Sequence, residues 1–214
     1  MPYPDERLCH PIPMSELERR WQAVRAVMAE QRLDALVIQG ACNMVGTGGY
    51  FRWFTGVSPI GSYPQTVIFP RDGLMTLVMH GPLHGEHDLK GEEAMLPGIG
   101  RRLTTPMFPG IGYANAYDAE LTAGEIKRSG YRAIGLVGLN HMLYGSGAAL
   151  VKQLDGVSVR EATELEGIGL IPRRNFRQFL AQLAMGRAGV GGDHDPATHI
   201  AFKMGCGRAM PRWT

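Results

Sequence analysis

No hydrophobic run in this sequence approaches the length needed to cross a bilayer. The opening residues, MPYPDERLCHPIP, carry acids and prolines but no apolar stretch of the kind a secretory leader needs, so a cytoplasmic protein is expected. Cysteine is scarce. Cys9, Cys42 and Cys206 are odd in number, far apart and never in a CxxC pair, which excludes a disulfide framework and a zinc knuckle and leaves single thiols. Net charge is only +2, too small to point to nucleic acid or to a membrane surface. There is no internal repeat. The glycine cluster GTGGY at 46–50 matches neither a dinucleotide fingerprint nor a P-loop, and Tyr144-Gly145-Ser146-Gly147 puts Tyr where a nucleophile elbow needs Gly.

What is present describes a globular chain. Hydrophobic residues make up 44% and charged residues 20% of 214 positions, enough to bury a sizeable core in one domain, with or without a tail. Ser15 and Glu18 have the S-x-x-E spacing of a capping box, and Leu17, Trp21, Val24 and Met28 follow on one helical face, which predicts a helix over 15–31. LDALVIQG (33–40) is short and uniformly apolar, as a buried strand is. YFRWFTG (50–56) is dense in aromatics. YPQTVIFP (63–70) and LMTLVMH (74–80), joined through Arg71-Asp72-Gly73, read as a hairpin. The Gly- and Pro-rich stretch 81–117 offers only a short strand near Arg101–Thr104. A helix over Ala119–Arg128, a strand in YRAIGLVGL (131–139), a helix over Gly147–Leu154 and a strand in VSVREAT (157–163) complete the order. The expected fold class is α/β, a mixed sheet flanked by helices on both faces, followed by an irregular tail.

The expected division is an N-terminal extension over 1–14, a domain over 15–165 and a tail over 166–214. That tail is rich in Gly and Arg, weakly periodic except at Phe176–Met185, and basic at +4 against −2 for the first 165 residues. It is too short to bury a core of its own, so poor order is expected there.

Taken in order, the capped helix, LDALVI, the Asn43 loop, the aromatic Y-x-x-x-FTG box at Tyr50–Gly56, the YP-x-TVIF strand and the D-G turn resemble the N-terminal domain of the creatinase, prolidase and aminopeptidase P family. IGLVG near 134–138 and EATEL at 161–165 resemble its closing elements, so the resemblance covers Ser15–Leu165. It implies a protein about twice this length. Its catalytic "pita-bread" domain would hold two divalent metals (Mn, Co or Zn) through two Asp, one His and two Glu. Nothing after Leu165 matches that domain; EGIGLIPRRNFRQFLA stands where a stretch like IR-x-IKS-x-EE should follow, as a truncation or a frame shift would produce, the alternative being a genuine short protein with a tail of its own. The resemblance therefore implies a non-catalytic domain serving substrate access and oligomer contacts. Its partners would be a pita-bread catalytic domain or another subunit of a homo-oligomer, with no nucleic acid and no membrane. By position, Ser62 and Tyr63 in the loop 57–63 would touch substrate. The Arg that creatinase uses in that loop has no counterpart here, which favours a peptidase-like parent.

Two other readings come from the residues themselves. Arg52 and Trp53 of the aromatic box could hold a ligand through an anion contact and ring stacking, as a free-standing small-ligand or partner-binding module would; the bland alternative is a core anchor. His80, His84 and His87, with Glu86 and Asp88, supply donor types for a transition metal and a small metalloenzyme. The spacing is H-x-x-x-H-x-x-H without the helical HExxH pattern, so a polar loop at a strand end is the competing reading. His194, Asp195, His199 and Cys206 form a second set of donor types in the tail. No catalytic residue is assigned, and no cofactor is expected in this chain.

Overall fold

A computed structural model describes residues 12–40, 49–57, 64–89, 96–106, 111–139 and 141–163. Helix α1 runs Met14–Glu30. It turns Leu17, Trp21, Val24 and Met28 inward, each at most 6% exposed. The expected capping box does not form. Pro13 occupies the N-cap position, and its carbonyl accepts the N–H groups of Glu16 and Leu17 at 3.0 and 3.2 Å. Proline presets the backbone for helix entry, so the helix begins before Ser15 and carries that hydroxyl past the capping position. Glu16 turns outward instead and pairs with Arg19 and Arg20 at 2.7 and 2.8 Å.

Among the described residues, seven strands form one sheet in the order β4-β5-β3-β2-β1-β6-β7. β1 (Ala35–Gly40) is buried at every position and lies inside the sheet, between β2 and β6. β2 (Gln65–Pro70) and β3 (Met75–His80) make the expected antiparallel hairpin, with Gly73 at φ +93° in the turn, a conformation that suits a residue without Cβ. β5 (Ile99–Thr105) pairs parallel to β3. β6 (Ala133–Val137) and β7 (Ser158–Glu161) pair parallel to β1 and to β6. β1, β3, β5, β6 and β7 thus point one way, and β2 and β4 (Gly85–Asp88) point the other.

Helices cover both faces. α1 and α2 (Gly49–Thr55) pack on one side around Leu36, Ile38, Val67, Phe69 and Leu77. α3 (Ile111–Arg128) and α4 (Tyr144–Gln153) pack on the other around Val37, Ile68, Ile134 and Leu136. The α/β class, the mixed sheet and the two-sided helical cover are as the sequence predicts.

The differences have local causes. β4 falls where the sequence suggests a polar loop. It is an edge strand whose Glu86, His87 and Asp88 are all exposed, so no alternation of apolar residues marks it, and it is held by its ladder to β5. Helix α3 begins eight residues earlier than Ala119, and α4 three residues earlier than Gly147. Gly145 and Gly147 are poor helix formers, but buried Gln39 accepts the Leu143 N–H at 2.9 Å and donates to Ser146 Oγ at 3.2 Å, which fastens the start of α4 to β1. The expected tail, 166–214, and its boundary at 165 lie outside the described residues.

Candidate functional site

Ligands of open α/β sheets gather beyond the carboxyl ends of the parallel strands. Here that edge is formed by Gln39 and Gly40 of β1, His80 of β3, Thr105 of β5 and Val137 of β6. On the α3/α4 side it is polar. Gln39 and Thr66 are a register pair, and Gln39 Nε2 donates to Thr66 Oγ1 at 3.3 Å. With its bonds to Ser146 and Leu143, Gln39 is a satisfied structural hub.

A few ångströms along the edge, the polar groups are not all satisfied. His80 and Thr105 are register partners on the same sheet face. Asp118 of α3 lies seven residues before Glu125, hence on the same helical face about 10 Å nearer this edge. Glu125 accepts the Thr76 hydroxyl at 3.1 Å, and Thr76 stands four residues before His80 on β3, so Asp118 overlies the His80–Thr105 rung. Asp118 is 1% exposed, and neither carboxyl oxygen has a hydrogen-bond partner; Thr105 Oγ1 likewise has none. Burial pushes the Asp118 carboxyl up to about 7. Burial pushes the His80 imidazole down. Glu125 shows the contrast. Burial raises it, but hydrogen bonds from Arg128 and Thr76 and the charges of Arg128 and Arg101 outweigh that and hold it below its ordinary value.

Beside this rung lies a cavity of about 130 Å³. Thr104 and Thr105 of β5 form its floor, Tyr117, Glu120 and Leu121 of α3 its wall, and Leu83 and His84 of the β3–β4 turn its lip. His84 sits at φ +53°, a left-handed conformation uncommon for a residue with a Cβ. Gly81 and Gly85 flank it because a Cβ at either would meet the Thr104 side chain at 2.7 or 2.1 Å.

The residues singled out from sequence are dispersed. β5 separates the strands of His80 and His87, and their register positions on it, Thr105 and Arg102, differ by three residues. Two strand spacings and three residues of rise put their Cα atoms roughly 14 Å apart, too far for one ion. Among the described residues no three His, Cys, Asp or Glu side chains gather as a metal site would require. Arg52 and Trp53 lie on α2, across the sheet from the cavity. Arg52 is exposed, while Trp53 is half buried beneath the Arg20 guanidinium at 5.3 Å and edge-on to Phe54 at 4.9 Å. Phe51 and Phe54 of the same box are buried core residues, as the anchor reading has it. Ser62, Tyr63 and the tail set His194, Asp195, His199 and Cys206 lie outside the described residues, as do Cys9 and Cys42.

Sequence reading missed Asp118. A helix starting at Ala119 leaves an Asp just ahead of it, where acids commonly cap helices. The longer helix of the structure carries the same residue into the interior. No helix among the described residues is long and apolar enough to cross a membrane.

No protein-family model and no curated protein matches the chain. Solved structures are similar to it. One is an Xaa-Pro aminopeptidase from Streptococcus pyogenes, with 15% identity, a TM-score of 0.49, and coverage of 72% of this chain and 98% of that one. Another is the N-terminal domain of the cytoplasmic peptidase PepQ from Mycobacterium tuberculosis, with 17% identity, a TM-score of 0.43, and coverage of 70% and 98%. A third is an Xaa-Pro dipeptidase from Bacillus anthracis, with 10% identity and a TM-score of 0.46 over 70% of this chain; the match spans 34% of that dipeptidase's length.

Proposed function

We propose that the chain is a non-catalytic N-terminal domain of an Xaa-Pro peptidase-like or creatinase-like metallohydrolase, cytoplasmic, and concerned with substrate access and with contacts between subunits. The observation that supports this reading is the placement of the ordered sequence boxes. LDALVI supplies β1, the aromatic box supplies α2, YP-x-TVIF supplies β2 and the D-G pair makes the β2–β3 turn. The resemblance thus covers consecutive elements, the three neighbouring interior strands β3, β2 and β1 and the helix α2 on one face of them. In this reading Arg52, Trp53, Ser62 and Tyr63 serve substrate contact. The divalent ions (Mn, Co or Zn) and the activated water belong to a pita-bread domain that partners this one, directly or as part of a homo-oligomer. The purified chain, given Xaa-Pro dipeptides with Mn²⁺ or Co²⁺, is then expected to show no chelator-sensitive turnover. Robust cleavage abolished by chelator would overturn the proposal.

A further inference from the structure

The buried carboxyl of Asp118 has no role in the reading above. Asp118 is 1% exposed and neither oxygen has a hydrogen-bond partner. The hydroxyl of Thr105, on the strand beneath, is buried and unpartnered as well. A neutral carboxyl is tolerated in such a place far better than an unpaired carboxylate. α3 packs against β2, β3, β5 and α4, and none of them supplies the missing counter-charge. β2 has no titratable residue. β3 brings His80, which burial holds toward its neutral form. On β5, Arg101 is taken by Glu86 and Asp88 at 2.6 and 3.3 Å and lies 3.6 Å from Glu125; Arg102, next in the strand, points to the other face. Tyr144 and Lys152 of α4 are exposed, as are His84 of the β3–β4 turn and His87 of β4. Along α3 itself, Arg128 pairs with Glu125 about two turns or more away, Glu120 and Lys127 are exposed, and Tyr117 walls the neighbouring cavity. That cavity, about 130 Å³, has room for a few water molecules one helix residue from the carboxyl.

We propose that Asp118 is a pH-operated latch on α3: protonated, it lets the helix lie closed on β3 and β5, and ionised, it promotes a local opening of α3 from β5 that hydrates the carboxylate from the cavity side. The driving force is solvation, since the carboxylate finds no donor while the helix is closed. The opening is local because Ala123 and Ile126, further along α3, stay buried in the core shared with α4. In the closed form burial lifts the carboxyl from 3.8 to about 7, and hydration in the open form returns it to the ordinary range. The ratio of open to closed molecules therefore rises with pH between those two values and levels off above the higher one. From pH 5 to pH 8 the rise is about a hundredfold. His80 acts in the opposite sense, since its burial penalises the imidazolium that forms as pH falls.

The test is amide hydrogen exchange of the full chain at pH 5, 6, 7 and 8, each rate divided by the intrinsic rate at that pH. Amides of α3 from Asp118 to Thr122 should exchange faster than those of β1 and be indifferent to low urea, as a small opening requires, while β1 responds to urea as global unfolding does. Their opening should rise about a hundredfold from pH 5 to pH 8. Asp118→Asn should remove that rise. Glu120→Gln, an exposed carboxyl two residues away, should leave it in place. Three results would each overturn the proposal. The first is an α3 rate and urea response equal to those of β1, which means that the carboxyl meets water only on global unfolding. The second is an opening that does not change with pH. The third is a pH dependence that survives Asp118→Asn or vanishes in Glu120→Gln. The readout is backbone exchange, so its result is independent of whether the chain lacks hydrolase activity.

Discussion

Asp118→Asn separates the charge of the buried carboxyl from its shape. Asp118 is 1% exposed with both oxygens unpartnered, and burial lifts its pKa from 3.8 to about 7. Between those two values the folded chain keeps a proton that the unfolded chain has released. The group's contribution is therefore most favourable below pH 4, declines as pH rises through the interval, and is fully lost above 7. Three pH units at about 1.4 kcal/mol each make a loss of roughly 4 kcal/mol. Asn has no proton to lose, so this slope disappears, and its unpaired amide replaces a neutral carboxyl that is equally unpaired. The variant should therefore match the parent to within about 1 kcal/mol at pH 4 and be more stable by about 4 kcal/mol at pH 8. His80, facing from β3, is pushed down by burial and weakens the fold at acid pH, but it is present in both chains and largely cancels in the difference. Urea unfolding of the two chains, followed by circular dichroism at pH 4, 6 and 8, measures that difference. If it stays constant across the range, Asp118 does not titrate as its burial requires, and the reasoning fails.

Two further substitutions test how the carboxyl edge and the sheet are held. Gln39→Leu removes the acceptor of the Leu143 N–H and the donor to Thr66 and Ser146, and should cost about 2–4 kcal/mol in urea unfolding with the start of α4 loosened; a loss under 0.5 kcal/mol would show the hub to be dispensable. Gly135→Ala places a Cβ 2.5 Å from that of Ala162 and 2.7 Å from Leu36 Cδ2, so overpacking should lower stability by about 1–3 kcal/mol. Unchanged unfolding midpoints for this variant would mean that β6 and the chain after β7 are not packed as closely as described.

Periodicity and composition determined most of the architecture. The Leu17–Trp21–Val24–Met28 stripe, the apolar runs of β1 and β6 and the D-G hairpin are local patterns, and each is the pattern its element needs in order to bury one face. What they could not supply is any feature that depends on distant chain segments meeting. β4 has no apolar alternation because an edge strand is defined by the backbone ladder it finds, not by its own side chains. The first turn of α4 overcomes poor helix formers through the tertiary contacts of Gln39. His80, His84 and His87 are close in sequence yet separated by a strand inserted between theirs, whereas Thr105, Tyr117, Glu120 and Leu83 are scattered in sequence and share one cavity. Asp118 reads as an ordinary polar residue until α3 is laid on the sheet. Its chemistry comes from desolvation, and how much water a carboxyl loses is decided by which elements cover it.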